Sequence, residues 1–312
     1  MTRRDTWSLA DLPAQTGRTV LVTGTTVGGL GHHTALELAR RGARVVLAGR
    51  TEARLQETAR VIRDEVPDAA LDQVVVDLAD LGSVRRGAAI ASGLGPLDVL
   101  VNNPGVMGTP YHRTADGLEQ QMATNHFGPF LLTGLLLPQL AASGHGRVVT
   151  VSSQMHRIAR RAPLHDPRVQ EGRYQRWPVY GQTKLANLLF TYELDRRLRR
   201  AEVPVKALAA HPGFASTHLA ANGQYGRSSG GIASILDGAI RLVSPSTPLE
   251  GAAPSLMAAT ADLPGATYCG PSGLAGWSGA PQVTTSNKLS YDETAQRRLW
   301  QISEDVTGVR FP

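Results

Sequence analysis

Short runs of β-branched and other apolar residues alternate with amphipathic stretches along the first two-thirds of the chain. Six of these runs have the length and the Gly, Asn or Ser boundaries of strands. They are TVLVTG at 19–24, RVVLAG at 44–49, VVVDL at 74–78, LDVLVNN at 97–103, RVVTVSS at 147–153 and VKALAAHPG at 205–213. Their nearly continuous apolar character is typical of strands covered on both faces, so the pattern predicts βαβ units in a parallel sheet.

The last third of the chain departs from this alternation. Residues 222–248 are rich in Gly and Ser around one predicted helix at 234–243, and a helix at 250–261 and a strand at 266–273 follow. We predict one α/β domain with short additions. Its parts are an N-terminal arm at 1–17 and the domain at 18–312, including a basic insert at 154–179 and a substrate-side segment at about 214–248.

Composition and charge narrow the classes of partner. The chain has 312 residues, 42% of them hydrophobic, a net charge of +6 and a pI near 9.8. An excess of positive charge favours binding to nucleic acid, to an anionic membrane or to phosphorylated small molecules. Because the arginines are scattered and aromatic residues make up only 5%, we predict no nucleic-acid partner.

The sequence predicts neither a membrane segment nor a metal site. The charge-free run 122–146 reaches membrane-spanning length, but Asn125 and Pro129 fit a buried helix better than a lipid-facing one. The N-terminal arginines precede no apolar stretch of a secretion signal, and the single Cys269 forms no intrachain disulfide. We therefore expect a cytoplasmic protein.

A glycine-rich turn, TGTTVGGLG at 23–31, joins the first strand to the first helix. Its N–H groups and the helix N-terminus are placed to hold a diphosphate, although a merely tight turn has the same composition. The second strand ends in Gly49 and Arg50, where an acidic residue would bind a ribose 2′-hydroxyl. An arginine there pairs with a 2′-phosphate and favours NADP(H) over NAD(H), unless it is simply solvated.

Polar residues also follow the third and fourth strands. Asp77 is placed to accept from an adenine amino group or to cap the next helix. Asn102 and Asn103 can satisfy loose backbone groups, while Gly105 lets the chain pass close to a ribose.

Tyr180 and Lys184 are four residues apart on one face of a predicted helix. An ammonium near a phenol lowers the pKa of the phenol, which makes it a usable general acid or base. This spacing often arises by chance as a surface pair. Ser152 and Ser153 at the end of the fifth strand favour the catalytic interpretation, because they supply a hydroxyl for a substrate oxygen.

Six motifs occur together in order: the TG-rich turn, NNPG, TNHFGPFLLT, VSS, YGQTKLANLLF and HPGFAST. Over about Arg18 to Pro312 they resemble the short-chain dehydrogenase/reductase family. The insert after VSS, the KLANLLF helix and the ending LWQISEDVTGVRF resemble its retinol-dehydrogenase-like branch. The resemblance implies a Rossmann-type, doubly wound parallel α/β sheet of about seven strands in the order 3-2-1-4-5-6-7, with helices on both faces.

The same resemblance implies the residues of an active site. Tyr180 would exchange a proton, and Ser153, rather than Ser152, would orient the carbonyl or alcohol. Lys184 would bind the nicotinamide ribose and lower the pKa of Tyr180, while Asn125 would hold a water in a proton relay. No metal is implied. The cofactor would contact Gly24, Thr26, Gly29, Leu30, Gly31, Arg50, Asp77, Leu78, Asn103, Gly105, Tyr180, Lys184, Pro212, Gly213 and Thr217.

The glycine turn is one residue longer than the TG-x-x-x-G-x-G of the family. The following helix aligns without a gap if Gly31 is the last motif glycine, so Gly29 becomes the one that lets the diphosphate approach. The extra residue then lies at 25–28, and Gly24 ends the strand. Pro104 replaces the alanine of the family's NNAG and stiffens that turn.

We therefore predict an NADP(H)-dependent oxidoreductase that moves a hydride between nicotinamide and a carbonyl or secondary alcohol. The apolar residues Val106, Met107, Phe214 and Leu219 suggest a hydrophobic substrate, although core positions explain them equally well. The alternative is a non-catalytic NADP-binding sensor or scaffold.

Two further questions stay open at this point. The arginines of the insert are either solvated or offered to an anionic substrate. Many relatives pair through two long helices beside the site, so a homodimer or homotetramer is consistent with the sequence. The apolar residues of those helices fit the monomer's own core equally well.

Overall fold

A single sheet organises the chain, whose computed structural model describes residues 7–103, 105–168, 172–213 and 246–312. Its strands are β1 Thr19–Thr23, β2 Arg44–Gly49, β3 Leu71–Val75, β4 Val99–Asn102, β5 Gly146–Val151, β6 Val205–Ala210, β7 Tyr268–Pro271 and β8 Pro281–Val283. They lie in the order β3-β2-β1-β4-β5-β6-β7-β8. Strands β1 to β7 are parallel, whereas β8 runs antiparallel to β7. The predicted parallel sheet and its order through the seventh strand are confirmed.

The number of strands agrees with the predicted count of about seven, whereas the predicted bounds of the third strand are wrong. Within the described residues the sheet has eight strands, because β8 adds to the edge beyond β7. Its three residues start with Pro281 and end with Val283, which is 55% exposed, so they show no apolar pattern. The start and the end of strand β3 each lie three residues before the start and the end of the predicted VVVDL segment. It is an edge strand with polar Asp72 and Gln73, so the apolar run marks its end rather than its middle.

Helices cover both faces of the sheet. They are α1 Leu30–Arg40, α2 Glu52–Glu65, α3 Leu81–Ser92, α4 Gln120–Met122, α5 Gly128–Ala142, α6 Arg176–Arg200, α7 Pro248–Thr260 and α8 Glu293–Thr307. A π-helical turn, Ala123–Phe127, joins α4 to α5, and 3-10 turns occur at Leu9–Asp11, Gln154–Ile158, Leu274–Gly276 and Lys288–Tyr291. The helix predicted at 250–261 is confirmed as α7, while the one predicted at 234–243 lies outside the described residues.

The two hydrophobic cores follow from the alternation of side chains along each strand. Val20 and Val22 of β1 face one core, which α1, α2 and α7 cover. Leu21 between them faces the other core with Phe130 of α5 and Phe190 of α6. The central strands therefore carry apolar residues on both faces, which is why their runs in the sequence are nearly continuous.

The long helices α5 and α6 are covered by the end of the same chain. Trp300 of α8 lies 5.0 Å from Phe130 and 5.9 Å from Phe190, measured between ring centroids. Phe311 packs against Phe130 at 4.9 Å, and Gly134 leaves space for its ring. The apolar residues of these two helices thus belong to the chain's own core.

The described part of the predicted N-terminal arm packs on the domain. Leu12 is buried, and the N–H of Gln15 donates to the carbonyl of Arg41 at the end of α1. Across the ranges that the structure describes, no helix is long and apolar enough to cross a membrane.

Candidate active site

A cleft of about 380 Å³ opens at the carboxyl ends of the parallel strands, where loops from both halves of the sheet meet. Most of the predicted site residues line it: Gly24, Thr26, Gly29, Leu30, Arg50, Asp77, Leu78, Asn103, Gly105, Ser153, Tyr180, Lys184 and Pro212. Thr217, Phe214, Leu219 and most of the predicted substrate-side segment lie outside the described residues, as does Pro104. One cleft therefore brings together the motifs at both ends of the proposed cofactor.

The glycine turn closes tightly against the end of β4. Gly24 has a φ of +68°, and a Cβ there would lie 2.5 Å from the carbonyl oxygen of Asn103. A Cβ on Gly31 would lie 2.5 Å from the carbonyl oxygen of Gly24, so close helix packing requires glycine at this position. Gly29 is the N-cap of α1, and Gly28 turns the chain with a φ of +76°. The N-terminus of α1 consequently points into the cleft.

Asn103 fastens this turn to the sheet. Its backbone N–H donates to Oγ1 of Thr23 at 2.9 Å, and its Nδ2 donates to the carbonyl of Thr23 at 3.1 Å. Asn102 points to the other face and donates to Oγ1 of Thr133 at 2.9 Å. Asn103 thus satisfies backbone groups at the strand end, whereas Asn102 ties β4 to α5.

Two arginines stand at the far end of the cleft. Arg50 follows β2 directly, and Arg54 lies in the first part of α2; both are exposed and both line the cleft. The sequence prediction missed Arg54, because Arg50 precedes α2 and helical spacing therefore does not bring the two side chains together. Two guanidinium groups fit a phosphate at this position.

Asp77 lies beside these arginines, at the end of the segment after β3. Its Oδ1 accepts from the N–H of Ala79 at 2.9 Å, and its own N–H donates to Oγ of Ser83 at 3.0 Å. The cap of α3 is Asp80, which accepts from the N–H of Ser83 at 2.9 Å. The alternative that Asp77 caps α3 is therefore wrong, although the hydrogen bonds of Asp77 do order the turn before this helix.

Tyr180 and Lys184 face the cleft from α6, one helical turn apart. The Nζ of Lys184 lies 5.6 Å from the centroid of the Tyr180 ring and donates to the carbonyl of Val151 at 3.2 Å. Nδ2 of Asn187 donates to the same carbonyl at 3.1 Å. Both residues of the pair are buried, so the end of β5 and α6 together fix the lysine beneath the tyrosine.

Burial sets the protonation of this pair. Burial raises the pKa of Tyr180 to about 12, and a side-chain hydrogen bond from Ser153 opposes the rise. Burial also lowers the pKa of Lys184 to about 7. Desolvation favours the neutral form of both groups, and the lowering of the pKa of Tyr180 by Lys184 stays a prediction.

The two serines at the end of β5 have different partners. Ser153 hydrogen-bonds to Tyr180, and its Oγ accepts from the N–H of Met155 at 3.2 Å. The Oγ of Ser152 donates to the carbonyl of Lys184 at 2.8 Å, which ties β5 to α6. Of the two hydroxyls, that of Ser153 is the one next to the tyrosine.

Asn125 lies in the π-helical turn and is fully buried. Its Oδ1 accepts from the N–H of Val106 at 3.1 Å, and its Nδ2 donates to the carbonyl of Val106 at 2.9 Å and to Oγ1 of Thr183 at 3.1 Å. The side chain therefore connects the loop after β4 to α6. Its role in a proton relay stays a prediction.

His156, which the sequence prediction missed, supports the backbone of Ser153. Its Nδ1 lies 2.6 Å from the carbonyl oxygen of Ser153, and its Nε2 lies 3.2 Å from the backbone N–H of Asn287. One nitrogen must donate and the other must accept, so the ring is neutral with its proton on Nδ1. Burial lowers the pKa of His156 to about 4, in agreement with this state.

The HPG segment after β6 closes the remaining side of the site. Gly213 has a φ of +70°, and a Cβ there would lie 2.4 Å from the carbonyl oxygen of Trp277. Its N–H donates to Nδ1 of His211 at 3.2 Å. The close approach to the loop after β7 explains why this position is glycine.

The residues present fit a nicotinamide dinucleotide. The amino end of α1 and the glycine turn offer N–H groups to a diphosphate. The hydroxyls of Thr25 and Thr124 are buried in the cleft wall with no hydrogen-bond partner among the described residues, so they are available to a ligand. Within those residues, no group of His, Cys, Asp and Glu is arranged to hold a metal.

Comparison with known proteins identifies the family. The profile of the short chain dehydrogenase family matches residues 18–163. The chain is 38% identical over 302 residues to retinol dehydrogenase 13 of Homo sapiens, which covers 95% of this chain and 86% of that protein. It is 44% identical over 215 residues to polyprenol dehydrogenase of Mus musculus, and this alignment covers 67% of this chain and 63% of that protein. The chain therefore belongs to the short-chain dehydrogenase/reductase family.

Solved structures agree with this assignment. The chain is 41% identical to an uncharacterised protein from Mycobacterium Paratuberculosis, with a TM-score of 0.79 over 98% of this chain and 99% of the other. A second retinol dehydrogenase, retinol dehydrogenase 14 of Mus musculus, is 38% identical to this chain; the alignment covers 94% of this chain and 86% of that protein. The two retinol dehydrogenases assign the chain to the retinol-dehydrogenase-like branch of the family. Both parts of the predicted resemblance are confirmed.

Proposed function

We propose that the protein is an NADP(H)-dependent oxidoreductase that moves a hydride between nicotinamide and a carbonyl or alcohol carbon. The observation that carries this proposal is the placement of Ser153, Tyr180 and Lys184 at one end of a single cleft, with Arg50 at its other end. The ends of β1 and β4 lie between the end of β2, which Arg50 follows, and the end of β5, which Ser153 follows, so the glycine turn after β1 lies between the two groups and would hold the diphosphate of a dinucleotide. Bound NADP(H) would supply or accept the hydride.

The residues near the nicotinamide would transfer the proton to and from the substrate oxygen. Tyr180 donates its hydroxyl proton to the substrate oxygen during reduction and takes a proton back during oxidation. Ser153, which hydrogen-bonds to Tyr180, orients that same oxygen. Nζ of Lys184 lies 5.6 Å from the centroid of the tyrosine ring, and its protonated form, which a pKa of about 7 keeps populated at neutral pH, stabilises the negative charge that develops on the phenol oxygen.

The preference for NADP(H) over NAD(H) rests on charge. Arg50 and Arg54 line the end of the cleft where the 2′-position of the adenosine ribose would lie. A 2′-phosphate offers each guanidinium a charge-assisted hydrogen bond that a 2′-hydroxyl lacks. One related structure, a candidate NAD(P) dependent gluconate 5-dehydrogenase from Beutenbergia cavernae at 27% identity, contains NADP at low occupancy.

The substrate is proposed to be an apolar alcohol or the corresponding carbonyl compound. Relatives of this chain are named for retinol and polyprenol, which are both isoprenoid alcohols. Val106, beside the cofactor cleft, provides an apolar surface near the catalytic end. A cytoplasmic location stays a prediction.

Turnover with both cofactors tests the proposal. The purified protein is given NADPH or NADH with a panel of apolar aldehydes and ketones, and NADP+ or NAD+ with the matching alcohols. We expect turnover that is faster with the phosphorylated cofactor. If NADPH binds, as measured by its fluorescence, but no member of the panel is converted, the enzyme proposal fails and the sensor or scaffold replaces it.

A further inference from the structure

A second cavity, of about 790 Å³, lies between the basic insert and the amino ends of α4 and α6. Glu119 and Met122 contribute to its wall, whereas Gln120 and Thr124 of the same helical segment line the cofactor cleft. The two spaces therefore lie on opposite sides of one stretch of helix. We call the second space the basic cavity.

A hydrogen-bonded wall separates the basic cavity from the cleft. Oε1 of Gln121 accepts from the N–H of Gly108 at 2.8 Å, and its Nε2 donates to the hydroxyl of Tyr174 at 2.7 Å. That hydroxyl in turn donates to Oε1 of Glu119 at 2.8 Å. Because Gln121, Tyr174 and Glu119 are bonded to one another and to the loop at Gly108, they form a partition between the basic cavity and the active site.

The charge of the basic cavity is predominantly positive. Arg160, Arg161 and Arg173 line it together with His165. The carboxylate of Glu119 opposes them, but it already accepts from two N–H groups at the start of α4 and from Tyr174. Three guanidinium groups around one space favour an anion, and their planar donors match a carboxylate, sulfate or phosphate.

The wall also exposes large apolar side chains. Ile158 is 45% exposed and Tyr111 is 41% exposed, and both line this cavity. Met122 and Ala159, which are both largely buried, also line the cavity. Exposed apolar residues next to a cationic group are the arrangement that binds a molecule with both a tail and a charged head.

We propose that the basic cavity binds a single-chain amphiphile with an anionic headgroup. The headgroup contacts Arg160, Arg161 and Arg173, and the tail lies along Ile158 and Tyr111. This site is independent of the proposed oxidoreductase activity. It gives three of the insert's arginines a ligand outside the cofactor cleft.

Calorimetric titration with three probes tests the site. The probes are decanoate below its micelle concentration, 1-decanol as the tail without charge, and inorganic phosphate as the anion without a tail. We expect decanoate to bind about tenfold or more tightly than either of the others, since each charge-assisted hydrogen bond contributes at least this factor. Saturating NADPH should leave the affinity for decanoate unchanged.

Matched double variants locate the charge requirement. Arg160→Gln with Arg161→Gln should weaken decanoate binding about tenfold or more, whereas Arg297→Gln with Arg298→Gln, an equally exposed pair on α8, should have no effect. Unchanged melting temperatures show that both variants fold. Ile158→Ser is a separate test, because it removes only the apolar contact with the tail.

Four results would overturn the proposal. They are decanoate affinity equal to that of decanol, affinity equal to that of phosphate, displacement of decanoate by NADPH, and an unchanged affinity in the Arg160 and Arg161 variant. Binding to vesicles that contain anionic lipid, in the absence of decanoate binding, would replace it by docking on a membrane.

Discussion

The cofactor cleft and the basic cavity are separated by one stretch of helix, yet they are built in opposite ways. In the cleft, Asn103 is hydrogen-bonded to the end of β1 and Lys184 to the end of β5, so both are held by the sheet. In the basic cavity, Arg160 and Arg161 extend from an irregular insert and are exposed. Fixed side chains suit chemistry on a defined atom, whereas exposed cationic ends suit binding of an anion without exact geometry.

The largest expected effect separates the two regions by activity. Tyr180→Phe removes the hydroxyl that exchanges the proton and should lower kcat by about 10²–10⁴-fold, while NADPH binding is kept. Tyr111→Phe removes a hydroxyl in the basic cavity and should leave kcat unchanged. Steady-state kinetics and cofactor titration of both variants measure this difference. Equal losses would mean that the hydroxyl of Tyr180 has no special role.

The next effect concerns two arginines with different proposed anions. Arg50→Ser should raise KM for NADPH by about tenfold or more and leave KM for NADH nearly constant, because only the phosphorylated cofactor loses a charge-assisted bond. Arg161→Ser should change neither constant. A parallel rise for both cofactors in the Arg50 variant would contradict the assignment of the 2′-phosphate to this end of the cleft.

A stability measurement tests how tightly the cleft is packed. Gly31→Ala places a methyl group 2.5 Å from the carbonyl oxygen of Gly24 and 2.7 Å from Nδ2 of Asn103. We expect the free energy of unfolding to fall by about 1–3 kcal/mol. Gly93→Ala, where the nearest atom is 3.4 Å away, should change it by no more than about 0.5 kcal/mol. Denaturant unfolding of both variants gives the comparison, and equal values would show that the turn can relax.

The smallest expected effect concerns His156, which supports the backbone of Ser153 in the cleft. Its folded-state pKa is about 4, below the ordinary value of 6.5, so the unfolded chain binds a proton that the folded chain does not. This contribution to stability is complete above pH 6.5 and is lost as the pH falls toward about 4.

In His156→Gln, the dependence of the free energy of unfolding on pH should therefore become shallower in this window, by at most about 1.4 kcal/mol per pH unit. The exposed His112→Gln is the control and should keep the slope of the unchanged protein. If both variants have the same slope, the neutral ring is not required by its two hydrogen bonds.

The sequence predicted the sheet and most of the cleft because these depend on local pattern. Continuous apolar runs mark strands buried on both faces, and residues at their carboxyl ends must meet at one edge. Arg50, Asn103 and Ser153 all follow the ends of such strands, and all three line the cleft.

Other features depend on contacts between distant segments, which no local pattern encodes. The support of Ser153 by His156 requires Asn287, which lies far along the chain. The pKa of Tyr180 depends on complete burial, and its direction cannot be inferred from the spacing to Lys184 alone. The insert has an irregular path, so the sequence could count its arginines but could not tell which of them surround one space.

The aromatic cluster of Phe130, Phe190, Trp300 and Phe311 has a kinetic consequence. The contact between Phe130 and Trp300 closes a loop of more than half the chain. Contacts of such long range form late and slow the search for the native state. The helix that carries Tyr180 and Lys184 therefore acquires its final surroundings only when the last helix joins it, so we expect catalytic competence to be recovered in the slowest phase of refolding.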